Sequence, residues 1–120
     1  MGETAYSSND NAFIGSWSNL YESWMDMEIT CDDGMHYQID ISKTWNPSEI
    51  RYWHFTGYYD ASLNGLVYSD GVCWDMEQME ETVVYTDGDG TIMLGENGFL
   101  YWIDDGDEFA DESCFVPSGD

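Results

Sequence analysis

The sequence has almost no positive charge. Two residues, Lys43 and Arg51, are basic against 25 Asp and Glu, so the formal net charge is -23 and the sequence pI is about 4.1. Proteins that bind nucleic-acid backbones need clustered Lys and Arg, and helices that bind membrane surfaces need a basic polar face. The composition therefore excludes ordinary nucleic-acid binding and electrostatic attachment to an anionic membrane.

Long apolar runs are missing as well. No stretch of about 18 apolar residues is present, so no membrane span is predicted. The start, Met1-Gly2-Glu3, has neither the basic region nor the apolar region of a signal peptide. It is more typical of a start that replaces a removed leader.

Cysteine is also scarce. Cys31, Cys73 and Cys114 are too few for a disulfide scaffold, and they lack the short paired spacing of a zinc site. Two alternatives are compatible with this number: one disulfide with one free thiol, or three buried thiols.

What the chain has in quantity is aromatic and other apolar residues, which make up 17% and 42% of it. A disordered acidic tail would hold far fewer. At 120 residues the chain is long enough for one modest core. We therefore expect one domain over residues 13–116, with a flexible segment at 1–12 before it and a short tail at 117–120.

Apolar and polar residues alternate with period two along most of this domain. In the segment from Met25 to Cys31, for example, the odd-numbered residues are apolar and the even-numbered ones polar. Turn signals such as Asn46-Pro47 and Asn97-Gly98 separate about eight such segments by hairpin-length connections. Sequential hairpins predict an all-β antiparallel meander. We predict an eight-stranded up-and-down β-barrel, with a two-sheet β-sandwich as the alternative.

The same pattern predicts two irregular points and the core. We expect a bulge or kink at Ser69-Asp70-Gly71 and a turn at Asp87-Gly88-Asp89-Gly90. The residues predicted to be mostly buried are Met27, Ile29, Ile39, Ile41, Trp53, Phe55, Val83, Ile92, Leu94 and Trp102.

Several short motifs follow one another between residues 13 and 116. They include Gly15-x-Trp17, Met-Glu-Ile-Thr at 27–30, Tyr37-x-Ile39-x-Ile41, Trp53-x-Phe55-x-Gly57, Leu66-x-Tyr68-Ser69-Asp70-Gly71, the stretch 80–90, and Leu100-x-Trp102. In this order they resemble a domain of unknown function that is common in secreted and lipid-anchored proteins of gut Firmicutes. The resemblance implies an exported protein, secreted or displayed on a Gram-positive surface, and it carries no established activity.

Two of the motifs also resemble strands of avidin- and lipocalin-type barrels. They are Gly15-Ser16-Trp17-Ser18-Asn19 and Phe55-Thr56-Gly57-Tyr58-Tyr59-Asp60. This second resemblance implies that Asn19 would contact the ureido group of biotin. It leaves a biotin-like or lipophilic ligand in the barrel mouth as an alternative function.

The stretch 51–60 is the most aromatic part of the chain. If Trp53 and Phe55 face the core, their neighbours face outward by pleat geometry. Aromatic rings with a polar tip suit protein interfaces and sugar faces. The alternative is that these rings only cover their cross-strand neighbours. The residues predicted to bind a protein or glycan partner are Trp45, Tyr52, His54 and Tyr58.

Both basic residues belong to this region. Arg51 begins the aromatic stretch, and Lys43 lies two residues before Trp45. We expect them to make this the least negative part of the surface, so that a partner docks here rather than on the acidic carboxy-terminal half.

Calcium is the metal that so many carboxylates could hold. The segment from Asp87 to Gly90 copies the opening of an EF-hand loop but has Gly98 where the twelfth position needs Glu. The predicted calcium ligands are Asp87, Asp89, Asp104 and Asp105. The alternatives are a tight turn and a solvated acidic face. We expect no other cofactor.

No catalytic constellation is visible in the sequence. His36 and His54 accompany no recognisable nucleophile motif, so we expect both on the surface. With 25 carboxylates, some pairs will have the spacing of a glycosidase by chance and carry no signal. The sequence favours a non-enzymatic, monomeric binding module. The alternatives are an acidic inhibitor that mimics DNA phosphates and a carboxylate-dependent hydrolase.

Overall fold

The protein is described from a computed structural model over residues 12–31, 34–104, 106–107, 109–110 and 113–118. The strands are β1 (Gly15–Asn19), β2 (Met25–Cys31), β3 (His36–Asn46), β4 (Glu49–Asp60), β5 (Gly65–Glu77), β6 (Glu80–Leu94), β7 (Leu100–Ile103) and β8 (Ser113–Pro117). Within the described ranges, no helix is long and apolar enough to cross a membrane.

Each strand pairs antiparallel with the next, and β8 pairs with β1 to close the sheet. The architecture is therefore the predicted eight-stranded up-and-down barrel, and the sandwich alternative is wrong. Closure is short on one side: β6–β7 comprises four residue pairs, whereas β4 and β5 pair over most of their length. The barrel thus consists of a tall wall, β3 to β6, and a low wall completed by β7, β8 and β1.

The period-two pattern predicted the core well. Along β2 the side chains alternate strictly between buried and exposed, ending half-buried at Cys31. Eight of the ten predicted core residues are buried: Met27, Ile29, Ile39, Ile41, Trp53, Phe55, Ile92 and Trp102. Rings fill the barrel interior, where Phe55 stacks on Tyr68 with centroids 3.9 Å apart and Trp53 meets Trp102 edge to face at 5.5 Å.

Two core predictions did not hold in full. Leu94 is half-buried against the core, and Val83 is 58% exposed. Val83 precedes the part of β6 that pairs with β7, which begins at Thr91. The hairpin of β5 and β6 extends beyond the low wall, so residues 80–87 of β6 have little of the barrel to pack against.

The predicted turn at residues 87–90 is also wrong. These residues lie inside β6, which continues to pair with β5 through them. The register between the two strands shifts three times between Tyr68 and Trp74, and Asp70 has φ of 58°. The predicted irregularity at Ser69-Asp70-Gly71 is thereby confirmed. The chain does not reverse at Gly88 and Gly90. Their lack of a side chain instead lets the Tyr85 ring lie close to Gly88 and the Tyr68 hydroxyl lie close to Gly90.

The remaining turns follow the sequence signals. Pro47 lies between β3 and β4, and Gly98, with φ of 85°, lies in the β6–β7 turn. Asp32 and Asp33 of the predicted β2–β3 turn fall outside the described residues. The amide of Gln78 donates to the carbonyl of Ser48 at 2.9 Å, which joins the tips of two hairpins on the tall wall.

All three cysteines are free thiols. Cys73 and Cys114 are buried and Cys31 is half-buried. Burial raises the pKa of the Cys73 thiol to about 12, so this thiol is protonated and unreactive at neutral pH. The arrangement matches the alternative of three packed thiols.

Candidate functional site

The outer face of β1 to β5 carries two cross-strand rows of side chains. Alternation along each strand places the apolar neighbours in the core, so these side chains point outward. The first row, in pairing order, is Ser18, Asp26, Ser42, Tyr52 and Trp74. The second row is Ser16, Glu28, Asp40 and His54. Each row therefore runs from small and acidic side chains to aromatic ones.

A groove of about 470 Å³ lies along these rows. Tyr52 and Trp74 form one wall, with ring centroids 5.4 Å apart and planes inclined by 23°. Carboxylates line the other side of the groove, at Asp26, Glu28 and Asp40. Between them lies Ser42, whose small side chain keeps the floor of the groove low. We call this feature the outer groove.

No basic residue lines the outer groove. The ammonium group of Lys43 donates to the carbonyl of Ser23 at 2.6 Å and lies 3.2 Å from a Glu22 oxygen. Ser23 and Glu22 both lie outside the outer groove. Its carboxylates therefore have no Lys or Arg beside them within the groove, although Asp40 pairs with His54 at 2.7 Å, and they attract external cations.

The structure does not support the expectation that Lys43 and Arg51 make the surface around the aromatic stretch the least negative part of the protein. Lys43 is 8% exposed and shares its face of β3 with buried Ile41, while Arg51 shares its face of β4 with Trp53. Arg51 makes two hydrogen bonds with Asp75, of 2.6 and 2.9 Å, and this raises the pKa of the guanidinium and lowers that of the carboxyl. Both cations therefore belong to the end of the barrel.

The four predicted binding residues do not form one surface. Tyr52 and His54 face outward as predicted, and Nδ1 of His54 lies 2.7 Å from a carboxylate oxygen of Asp40, beside the outer groove. Tyr58 also faces outward, but six residues along β4, which corresponds to about 20 Å. It lies beside a second pocket near Asp104.

Trp45 lies elsewhere. It is half-exposed at the barrel end, packs edge to face on Phe109 at 5.9 Å and has the Lys43 ammonium 5.8 Å from its ring centre. The β3 register shifts between Thr44 and Asn46, next to Trp45. Sequence alternation alone therefore did not place Trp45 correctly.

Trp74 is the groove residue that sequence reasoning missed. It lies directly opposite Tyr52 across β4 and β5. The register between β4 and β5 shifts just before it, between the pairs Gly57–Tyr68 and His54–Val72. The partner of Tyr52 could thus not be counted along the chain, although an aromatic residue after a predicted bulge was the available signal.

Of the predicted calcium ligands, Asp89 and Asp104 line one pocket. Asp87 and Asp89 are exposed on β6, and Asp105 lies outside the described residues. Asp104 is buried, and its two oxygens accept hydrogen bonds from the Tyr68 hydroxyl at 2.6 Å and the Gly106 amide at 2.9 Å. Over the part of the chain that the structure describes, no three His, Cys, Asp or Glu residues form a group able to hold a metal.

Two carboxylates lie in the interior, which is the feature a carboxylate-dependent hydrolase would need. Burial raises the pKa of Asp104, and its carboxylate accepts the hydrogen bonds from Tyr68 and Gly106 described above. One oxygen of Asp107 accepts from the Trp53 indole and from the Tyr85 hydroxyl, each at 2.6 Å. Both carboxylates therefore fasten the connection between β7 and β8 onto the aromatic core.

Asn19 has a structural role in this protein. Its side-chain oxygen accepts hydrogen bonds from the amides of Tyr21 and Glu22, both 2.8 Å long, so it organises the turn after β1. Its amide nitrogen donates to the Ser113 hydroxyl at 3.4 Å and to the Met25 sulfur at 3.7 Å, so both ends of the side chain have partners within the protein. The geometry gives no support to the avidin-like alternative.

Comparison with protein-family models matches no family, and comparisons with curated proteins and with solved structures find no significant match.

Proposed function

We propose that this protein is a non-enzymatic binding module whose outer groove takes a cationic segment of a partner protein. The observation that carries the proposal is the stacked pair of Tyr52 and Trp74 facing the carboxylates of Asp26, Glu28 and Asp40 across one groove. Aromatic faces and carboxylates both attract Arg and Lys side chains. A guanidinium can lie on a ring face while its N–H groups reach the acidic side.

Magnitudes decide what kind of segment fits. A cation on an exposed ring contributes about 0.5–1 kcal/mol, and an exposed ion pair contributes about 1 kcal/mol at most. One arginine would therefore bind too weakly to matter, so the partner must present several. The net charge of -23 accelerates the approach of such a partner, and the acceleration falls as salt is added.

The test is a titration with a peptide of four Arg-Gly repeats, followed by NMR. This peptide carries four cations and has little tendency to form a strand. We expect the Trp74 indole and Tyr52 ring signals to shift, and Trp74→Ala to weaken binding about two- to fivefold. Trp24→Ala is the matched control, because Trp24 is 66% exposed and lies outside the outer groove.

Two results would contradict the proposal. One is equal affinity of the wild type and Trp74→Ala. The other is binding of a neutral β-linked tetrasaccharide in the groove with no binding of the peptide, which would assign the ring pair to a glycan. Export of the protein stays a prediction from the family resemblance.

A further inference from the structure

Strand β6 is paired on both sides only near its end. β5 pairs with it from Glu80 to Met93, whereas β7 pairs with it only from Thr91 to Leu94. Among the described residues, no strand pairs with the other side of residues 80–90. This eleven-residue segment, which we call the β6 edge, is about 35 Å long.

The β6 edge has the composition of a strand that can accept another. Its centre reads Thr-Val-Val-Tyr-Thr, and both Val83 and Val84 are exposed, by 58% and 42%. Proteins block free edges with charged side chains, above all Lys, and with Pro, bulges or very short strands. Residues 80–90 contain no Lys or Pro, and their acidic residues flank the apolar centre without interrupting it. The edge is long and largely apolar at its centre.

The ends of the β6 edge are acidic. Glu80 and Glu81 precede the apolar centre, and Asp87 and Asp89 follow it. If two copies paired antiparallel about Val83 and Val84, Glu80 of each would face Asp87 of the other. Like charges directly opposite each other destabilise strand pairs, so the edge disfavours a second copy and favours a segment with Lys or Arg at those positions.

The edge is also preformed. Glu80 pairs with Glu77, and Val83 pairs with Trp74, while the bond from Gln78 to Ser48 ties the hairpin tip to the rest of the tall wall. A partner would therefore order only its own chain, which limits the entropic cost of binding.

We propose that the β6 edge binds an extended basic segment of another protein by β-strand addition. The partner's main chain would bond to β6, its small or β-branched side chains would cover Val83 and Val84, and its basic residues would face the acidic ends. The inference does not depend on the outer groove, because it uses the backbone of β6 rather than the ring pair.

The test uses a synthetic ten-residue peptide of alternating Lys and Val, read out by hydrogen exchange of the β6 amides. We expect alternate amides between residues 81 and 89 to exchange at least tenfold more slowly with the peptide. A peptide of the same sequence with N-methylated alternate residues keeps its charges but cannot complete the ladder, and we expect no protection from it.

Charge reversal supplies a matched pair of variants. We expect Glu81→Lys to weaken peptide binding at least threefold, and Glu96→Lys, which makes the same charge change in the turn at the far end of β6, to leave it within twofold. Equal protection by the N-methylated peptide, or none by either peptide, would overturn the proposal. A third result would also overturn the proposal: exchange of the β6 amides that slows as the protein concentration rises, with no peptide present. It would show that the β6 edge binds a second copy of this protein. Failure of the Arg-Gly titration alone would affect only the outer groove.

Discussion

Asp107 shows how single residues hold this acidic protein together. Its carboxylate is buried and accepts hydrogen bonds from an indole, a phenol and the Phe109 amide. Phe109 in turn packs on Trp53 at 5.6 Å and lies near Arg51. A buried carboxylate is tolerated here because each of its two oxygens accepts at least one hydrogen bond.

We predict that Asp107→Ala lowers the free energy of unfolding by about 3 kcal/mol. The substitution leaves the buried Trp53 indole and the half-buried Tyr85 hydroxyl without their acceptor, and a buried donor without an acceptor costs about 1–3 kcal/mol. Urea unfolding measures the loss. Asp40→Ala is the control, since it removes an exposed carboxylate paired with His54 and should cost less than about 1 kcal/mol. Equal losses in the two variants would contradict this role of Asp107.

At the scale of elements, aromatic rings cover glycines where β5 and β6 change register. The Phe55 ring lies against Gly71, and the Tyr85 ring lies against Gly88. These glycines leave room for rings that would otherwise collide with a side chain on the strand. The bulged hairpin can thereby remain packed on the barrel.

We predict that Gly71→Ala destabilises the protein by about 2–3 kcal/mol. A Cβ at this position would lie 2.7 Å from Cε1 of Phe55, and Phe55 cannot move aside because it is stacked on Tyr68. Gly34→Ala is the comparison: nothing lies within 4 Å of its Cβ, and its φ of +78° should cost about 1–2 kcal/mol. Near-ultraviolet circular dichroism should change in Gly71→Ala only. An unchanged aromatic spectrum there would show that the ring is not confined.

At the scale of the whole molecule, the main electrostatic effect on stability is repulsion between the acidic residues. Twenty-five acidic residues face two basic ones, and both basic side chains are paired with carboxylates. Burial raises the pKa of Asp104, and the hydrogen bond with Glu49 raises that of Glu77. A carboxyl whose pKa is raised in the folded state stabilises the fold at pH values below its unfolded-state pKa. This stabilisation is lost as the pH rises through the folded-state pKa. Asp75 and Asp60 have lowered pKa values, so their contributions disappear in strong acid.

We predict that the melting temperature rises from pH 7 to about pH 5 and falls below about pH 4. It should also rise with sodium chloride at pH 7, by about 4 °C for each kcal/mol of repulsion that is screened. Choline chloride should act equally, because screening does not depend on the cation. Scanning calorimetry gives both series. A melting temperature independent of salt would mean that bound cations already neutralise the charge, and a response to sodium alone would indicate a specific site.

The sequence by itself determined the fold class and most of the core. Period-two alternation decides which residues of a strand face inward, and hairpin turns decide that consecutive strands pair, so both are local properties. Ile29, Ile41 and Trp53 could be assigned to the core for this reason. The outward direction of Tyr52 and His54 followed from the same rule.

The tertiary structure alone decided where β6 leaves the barrel and which aromatic residue faces Tyr52. Val83 alternates like a core residue, but among the described residues no strand pairs with β6 on the side away from β5 at this position. Trp74 meets Tyr52 only because the register between β4 and β5 shifts once, between His54 and Gly57. Strand length relative to neighbours and bulge geometry depend on residues distant in sequence, and the outer groove and the β6 edge are both products of those long-range relations.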